Sequence, residues 1–296
     1  MICLVGEQPL PNLLPVRYEE PEHVVLAYTQ STREVSDRLE KVLRGEALVY
    51  PLEVLPFNIP AIRSALEEFI AGRGWKSAQL VFNLTGGTKA MAFAAYSLAE
   101  EWRSRFIYLE SEESTSQLYR YRFDWDGTAL SDGESIVPDV VGLDDYFKAH
   151  LGSYWQRPFP SGRGGEFERV VCQVLEQAVD ELTHGIQAGG ALDIDIALRC
   201  GNQVGIAEVK TGAAARRKTG LDQLNTAARR EYLGIYTRKF LIVDTAWNHT
   251  LSNLRDLADV SEIKVIELSS YGQTGSLLDQ DRERLVREVA ETLGCW

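Results

Sequence analysis

Hydrophobic and polar positions in the first half of the chain alternate between two periods. Short apolar runs typical of buried strands are separated by segments whose apolar residues recur every three or four positions, as in amphipathic helices. This order predicts a doubly wound, mostly parallel α/β sheet. The predicted strands are Ile2–Val5, Val24–Tyr28, Gln79–Asn83 and Phe106–Glu110; the helices are Arg33–Leu43, Ala61–Ala71 and Lys89–Glu101; a hairpin is predicted from Gln117.

The second half repeats the alternation after a stretch of different composition. Residues 131–165 are acidic at first and then rich in Gly, Pro and Arg, which is typical of a boundary between domains. We therefore predict a first domain over 1–145, a linker over 146–160 and a second α/β domain over 161–296. Its predicted helices are Glu166–Leu182, Leu221–Arg230, Thr250–Ala258 and Gln280–Leu293; its strands are Leu192–Leu198, Val204–Val209, Phe240–Val243 and Lys264–Leu268.

Composition limits the classes of protein to consider. The chain has 296 residues, 45% of them hydrophobic, and no apolar run of the roughly 18 residues that span a membrane. We expect no membrane partner and a cytoplasmic location. The four cysteines show no metal-binding spacing, which predicts buried free thiols in a reducing compartment.

A group of charged side chains in the second half has the chemistry of a phosphodiesterase. Asp195 lies within one predicted strand, and Glu208 and Lys210 end the next, across a hairpin turn. Since side chains alternate along a strand, Glu208 and Lys210 share a face, and the hairpin brings Asp195 beside them. Carboxylate oxygens are ligands that Mg²⁺ or Mn²⁺ accepts, and an ammonium group stabilises charge on a phosphate. A Glu-x-Lys pair on an exposed strand face is the structural alternative.

The run Leu192–Gly212 resembles the PD-(D/E)XK nuclease motif, and Gly164–Val171 resembles the preceding helix of that family. The resemblance implies a restriction-endonuclease-like fold for the second domain. It also implies that Glu166 lies near the metal and that the Val209 carbonyl faces it. Asp193 falls where the family often has a second polar residue, and it points to the same face as Asp195. The resemblance therefore leaves open which of the two is the main metal ligand.

Basic residues follow this motif although the net charge is −12. From Lys210 to Lys239 there are eight basic residues and two acidic ones. Arg216, Arg217 and Lys218 are close enough in sequence to Lys210 to bind phosphates beside a cut. A solvated helix face explains the same residues almost as well.

A second candidate site follows the strand that ends at Asn83. Gly86 and Gly87 permit a tight turn before a helix. Backbone N–H groups at the helix start, with Thr85, Thr88 and Lys89, are predicted to form an anion site at the carboxyl end of the sheet. The alternative is a structural Gly-Gly turn with Thr caps. The spacing is not that of a P-loop or a dinucleotide fingerprint.

This stretch resembles the ligand loop of CARF domains, the Rossmann-like sensors of cyclic oligoadenylate in type III CRISPR systems. Leu4–Val16 and Tyr28–Leu43 resemble further segments of CARF proteins fused to PD-(D/E)XK nucleases. The resemblance implies a homodimer whose paired sensors bind one cyclic ligand, with cyclic tetra-adenylate preferred. The implied ligand-binding residues are Gly6, Glu7, Gln8, Thr29, Gln30, Ser31, Thr32, Asn83, Thr85, Gly86, Gly87, Thr88 and Lys89.

Together the two halves predict a metal-dependent endonuclease that cyclic oligoadenylate activates allosterically in antiviral defence, with DNA, RNA or both as substrate. Two alternatives stay open. One is a ring nuclease that degrades the cyclic ligand in its first domain. The other is a ligand-responsive regulator whose nuclease-like domain is inactive.

Overall fold

Two β-sheets organise the chain, one in each of two compact units. The first unit comprises Met1–Val141 with Lys148–His150, and the second comprises Gly142–Phe147 with Leu151–Trp296. The structure is a computed structural model and describes residues 1–112, 115–190, 192–247 and 251–295. In these residues the two sheets have seven and six strands, and the predicted α/β fold class is confirmed.

The sheet of the first unit is parallel where strands alternate with helices. Its order is β3-β2-β1-β4-β5-β6-β7; the first five strands pair in parallel, and β6 and β7 extend it as an antiparallel hairpin. The strands are β1 (Ile2–Leu4), β2 (His23–Tyr28), β3 (Leu48–Glu53), β4 (Val81–Asn83), β5 (Arg105–Glu112), β6 (Thr115–Phe123) and β7 (Ala129–Ile136), and the helices are α1 (Leu10–Glu19), α2 (Arg33–Val42), α3 (Ile59–Ala71) and α4 (Lys89–Trp102).

Helix α1 and strand β3 were not predicted from the sequence, whereas β6 and β7 are the two strands of the predicted hairpin. Helix α1 contains Pro11 in its first turn, where a missing N–H costs nothing, and Pro15 in its interior, and such prolines disguise a helix. Strand β3 is partly exposed, so it lacks the apolar run that identifies a buried strand.

The sheet of the second unit has the order β13-β12-β11-β10-β9-β8. Strands β8 to β11 are antiparallel, whereas β12 and β13 continue from β11 in parallel. The elements are α5 (Leu143–Leu151), β8 (Trp155–Gln156), α6 (Arg163–Leu175), β9 (Glu181–Ala188), β10 (Leu192–Cys200), β11 (Gln203–Lys210), α7 (Thr219–Ala227), β12 (Arg238–Val243), α8 (Ser252–Val260), β13 (Ile263–Glu267), α9 (Ser269–Thr274) and α10 (Asp279–Leu293).

The region between the predicted domains differs from the expectation. Residues 146–160 contain the end of α5 and the strand β8, so they are structured rather than a plain linker. The predicted helix Glu166–Leu182 ends at Leu175, and its last two residues belong to β9, which the sequence analysis missed. The start of the predicted helix at Thr250 lies outside the described residues, and α8 runs from Ser252 to Val260.

The cysteine prediction is wrong for two of the four residues. Cys200, at the end of β10, forms a disulfide with Cys295, after α10, while Cys3 and Cys172 are buried free thiols. Scattered spacing could not reveal this pair because 95 positions separate the two residues. No helix within the described residues is long and apolar enough to cross a membrane.

Adjacent glycines at the start of α6 give the first prediction. A β-carbon on Gly165 would lie 1.7 Å from the Pro160 carbonyl oxygen, whereas the nearest atom to one on Gly164 would be the Thr211 hydroxyl at 3.9 Å. We expect Gly165→Ala to lower the free energy of unfolding by about 2 kcal/mol or more, since backbone must move. Gly164→Ala is the matched control and should be neutral or stabilise by up to about 1 kcal/mol. Urea denaturation measures both, and equal effects would contradict the packing.

Candidate active site

The β10–β11 hairpin brings two carboxylates and one ammonium group together. The antiparallel register Ile196↔Ala207 places Asp195 and Glu208 at neighbouring positions on the two strands. The Lys210 Nζ donates to Glu208 Oε2 at 2.5 Å and to Asp195 Oδ2 at 3.2 Å. Asp195 Oδ2 also accepts a bond of 2.8 Å from the Val209 backbone N–H. The strand alternation thus predicted the contact between these side chains correctly.

A second cation, Arg157, reaches the same carboxylates from the residue after β8. Its Nη2 donates to Asp195 Oδ1 at 2.6 Å, and its Nε donates to Asp193 Oδ1 at 3.0 Å. Gly185 in β9 has a φ of +64°, and a β-carbon there would lie 2.4 Å from the Arg157 carbonyl oxygen. A glycine is therefore required for this approach. Sequence reasoning missed Arg157 because its short strand lies in a proline-rich stretch.

Helix α6 contributes Glu168, rather than the predicted Glu166, to the cluster. Glu168 is 3% exposed, its carboxylate lies 3.5 Å from the Arg157 Nη1, and the charge of Asp195 acts on it. Glu166 is exposed on the same helix. Two helical positions are about 200° apart around the axis, so only one of these side chains faces the sheet. The sequence signal was present, because Glu168 shares its helix face with Val171, Cys172 and Leu175.

Burial and mutual repulsion control the protonation of this cluster. Burial, and next the charge of Asp195, raise the pKa of Glu208 well above its usual value, although Lys210 opposes the shift. The same two causes raise the pKa of Glu168 to about 7. Burial alone would lower the pKa of Lys210, but Glu208 and Asp195 outweigh it and the pKa is raised. Lys210 therefore stays charged.

The donors suit a hard divalent cation. Asp195 and Glu208 supply carboxylate oxygens, and the Val209 carbonyl belongs to the residue whose N–H already points at Asp195. Burial and, next, the charge of Asp195 raise the pKa of Glu208, and a bound cation would relieve the repulsion between these two carboxylates. Among the described residues, no three His, Cys, Asp or Glu side chains are arranged to enclose a metal ion. Arg157 and Lys210 form ion pairs with the two Asp195 oxygens that a cation would use as ligands.

The predicted basic residues follow β11 but differ in their surroundings. Arg216 is exposed, and its Nη2 donates to Thr245 Oγ1 at 3.2 Å. Lys218 forms an ion pair with Asp222 at 3.2 Å, as a solvated helix face would. Arg217 is exposed. Asp193, the alternative to Asp195, has a side chain that is 47% exposed, against 11% for Asp195.

In the first unit, the three predicted ligand loops meet at one edge of the sheet. Strands β2, β1 and β4 are neighbours and parallel, so the segments beginning at Gly6, Thr29 and Leu84 leave the same edge. The Gly87 nitrogen lies 3.1 Å from the position of a β-carbon on Gly6. Convergence of these loops therefore follows from the topology.

Several polar side chains at this edge hold the loops in place. Asn83 is fully buried; its amide donates to the Pro11 carbonyl at 2.8 Å, and its oxygen accepts from the Thr85 hydroxyl at 2.7 Å. Thr88 caps α4 by accepting from the Met91 N–H, and it donates to the Pro56 carbonyl. Thr32 bonds to Thr29 and is also buried. Exposed side chains at the edge are Glu7, Gln30, Ser31 and Lys89, with Gly6 and Gln8 half-buried.

Comparison with known families identifies this first unit. Residues 1–126 match the family model of the Card1 CARF domain and therefore form a CARF domain. No curated protein matches the chain.

Solved structures share the fold over most or nearly all of the chain. Can2 from Sulfobacillus thermosulfidooxidans, determined in complex with cyclic tetra-adenylate, is 15% identical, with a TM-score of 0.71 and coverage of 99% of this chain and 96% of that one. Protein VC1899 from Vibrio cholerae is 14% identical, with a TM-score of 0.71 and coverage of 99% and 97%. A type III CRISPR defence DNA nuclease activated by cyclic oligoadenylate is 18% identical, with a TM-score of 0.60, over 83% of this chain and 45% of that one.

The protonation of Glu168 gives a prediction about stability. Folded Glu168 keeps its proton to about pH 7, against 4.5 for an ordinary Glu, so the folded state binds more protons between these values. The stability that this carboxyl contributes is present below pH 4.5 and is lost as pH rises through 7. We therefore compare the free energy of unfolding of Glu168→Gln with that of wild type at each pH. We expect this difference to favour the variant more at pH 8 than at pH 5, by on the order of 1–3 kcal/mol.

Urea denaturation in EDTA at both pH values measures this difference. Glu166→Gln is the matched control, two positions away on the exposed face, and should follow the wild-type profile. Parallel profiles for Glu168→Gln and wild type would show that Glu168 is not protonated in the folded protein.

Proposed function

We propose that this chain is a metal-dependent nuclease of type III CRISPR defence that cyclic oligoadenylate activates. The observation that carries the proposal is the contact of Lys210 with both Asp195 and Glu208 on the β10–β11 hairpin. A buried cluster of acids with a perturbed pKa is costly to fold and is typical of a functional site. The CARF domain in the same chain supplies the sensor.

In the proposed site, Asp195, Glu208 and the Val209 carbonyl hold Mg²⁺ or Mn²⁺. When bound, the cation lowers the pKa of water and neutralises charge on the scissile phosphate. Asp195 is favoured over Asp193 as ligand because it is buried and bonded to Lys210 and the Val209 N–H. Lys210 orients the two carboxylates and carries a permanent positive charge beside the substrate phosphate.

Arg157 and Glu168 complete the proposed site. Glu168 lies near Asp195 at the helix face, in the place that the family resemblance gave to Glu166. Its raised pKa of about 7 suits a group that accepts or releases a proton near neutral pH. Arg157 neutralises Asp193 and Asp195, so its ion pair with Asp195 would compete with a cation for that carboxylate.

For the sensor, we propose that cyclic tetra-adenylate binds at the edge formed by the β1, β2 and β4 loops, across a homodimer. The Can2 structure contains that ligand, which supports the choice. Lys89 is exposed at the start of α4, where its charge and the helix N–H groups attract phosphate. Glu7, Gln30 and Ser31 are the other exposed side chains available for bases and ribose. Asn83, Thr85, Thr88 and Thr32 shape the loops.

The central test is a cleavage assay on DNA and RNA, with Mg²⁺ or Mn²⁺, with and without each cyclic oligoadenylate. We expect cleavage only when metal and activator are both present. Glu208→Gln and Lys210→Met should lower the rate by about 10²-fold or more, because each removes charge from the reacting centre. Asp256→Asn, on the exposed side of α8, is the matched control. Undiminished cleavage by Glu208→Gln would overturn the site, and linear products from the cyclic ligand alone would indicate a ring nuclease.

Binding of the activator gives a separate prediction. Lys89→Ala should weaken cyclic tetra-adenylate binding by about 10-fold, which corresponds to the loss of one charge-assisted hydrogen bond. Lys76→Ala is the matched control, since Lys76 is exposed and precedes β4 at the opposite end of that strand. Isothermal titration measures both dissociation constants. Equal values for the two variants would exclude Lys89 from the ligand site.

A further inference from the structure

A cavity of about 740 Å³ opens at the carboxyl ends of the parallel strands β11 and β12, beside α9. Gly212 follows β11, and Asp244 and Thr245 follow β12. Arg163, the first residue of α6, and Gln273 of α9 complete the polar part of the wall. Ligands of open α/β sheets bind in crevices at this end of the strands.

The cavity carries net positive charge at its mouth. Asp244 is buried, and its carboxylate is satisfied by the Gly212 N–H at 2.9 Å and by the Arg163 Nη2 at 3.2 Å. Arg163 also donates to the Gly272 carbonyl at 3.0 Å, which fixes its position. Arg216 is exposed, and its bond to Thr245 uses one of the five N–H donors of a guanidinium. A fixed and an exposed guanidinium against one buried carboxylate favour an anionic ligand.

Two elements connect this cavity to the carboxylate cluster. Lys210 and Gly212 are two residues apart along the chain, a distance of at most about 7 Å. Arg163 and Glu168 are five residues apart on α6, which corresponds to about 7.5 Å along the axis. The cavity therefore adjoins the carboxylate cluster, at a distance comparable to the spacing of consecutive nucleotides in an extended nucleic-acid strand.

We propose that this cavity binds the nucleotide next to the scissile phosphate of a nucleic-acid substrate, an inference that rests on the proposed nuclease function. Arg216 binds the phosphate of that nucleotide, with Arg163 beside it. The base lies in the cavity against Ala213 and Ala246, where Gln273 is available to its polar edge. The volume is ample for a base outside a stack, because clefts of about 300–1,000 Å³ accommodate drug-sized ligands.

Two variants test the cavity by different means. Arg216→Ala removes charge, whereas Ala246→Phe fills the space without changing charge. We expect each to weaken binding of a fluorescent 12-nucleotide oligomer by about 10-fold. Arg216→Ala should also reduce the slope of log affinity against log salt by about 0.7, as one lost phosphate contact predicts for a single strand. Arg287→Ala, exposed on α10, is the matched control.

Binding is measured by fluorescence anisotropy on full-length protein carrying Glu208→Gln, with Ca²⁺ and cyclic tetra-adenylate present, on DNA and RNA oligomers of one sequence. Cleavage is measured separately on protein that keeps the wild-type Glu208. There the cavity variants should raise KM and leave kcat within about two-fold. Thermal unfolding checks that each variant is folded. If Ala246→Phe does not fold, the test rests on Arg216→Ala and its salt dependence.

The outcomes separate the cavity from the nuclease proposal. Affinities equal to that of Arg287→Ala, in a wild-type protein that cleaves, would overturn the cavity and leave the nuclease. Weaker binding by Arg216→Ala with unaltered binding by folded Ala246→Phe would also overturn it, since the arginine would then act as surface charge only. Cavity-dependent binding in a wild-type protein that never cleaves would uphold the cavity and refute the nuclease.

Discussion

Burial of like charges is the constraint on which the second unit depends. Asp195, Glu208 and Glu168 are all buried residues, and isolated carboxylates at such depth would be too costly to fold. Lys210 from the adjacent strand and Arg157 from the sheet edge offset this cost through ion pairs. Burial, and next the charge of Asp195, still raises the pKa of Glu208 and of Glu168.

This arrangement explains why several backbone features of the second unit are unusual. Gly185 takes a left-handed conformation so that Arg157 can lie against β9. Gly165 lets the first turn of α6 lie directly against the Pro160 carbonyl, on the helix that carries Glu168. The Phe159 ring stacks on His184 with centroids 3.8 Å apart, which fixes the segment between Arg157 and α6 against β9. The acids thus constrain the strands around them.

Sequence reasoning predicted the parts of this site that are local. Asp195, Glu208 and Lys210 belong to one hairpin, where alternation alone decides which side chains share a face. Arg157 directly follows a strand of two residues whose place beside β9 is a long-range pairing, which no local pattern encodes. Glu168 and Glu166 differ only in helical phase, and that phase is fixed by the packing of Phe167, Val171 and Leu175 into the core. In the first unit, topology predicted the shared loop edge, but not that Asn83 would be buried beneath it.

The Cys200–Cys295 bond makes part of the second unit a covalent ring. Glu208, Lys210 and Asp244 lie inside that ring, whereas Asp195, Glu168 and Arg157 lie outside it, on the open part of the chain. Closing a loop of 95 residues removes chain entropy from the unfolded state that corresponds to about 4–5 kcal/mol. The redox state of the surroundings therefore determines whether the chain segment that carries Glu208 and Lys210 is covalently closed. It affects Asp195 and the residues that bind it only through the β10–β11 hairpin.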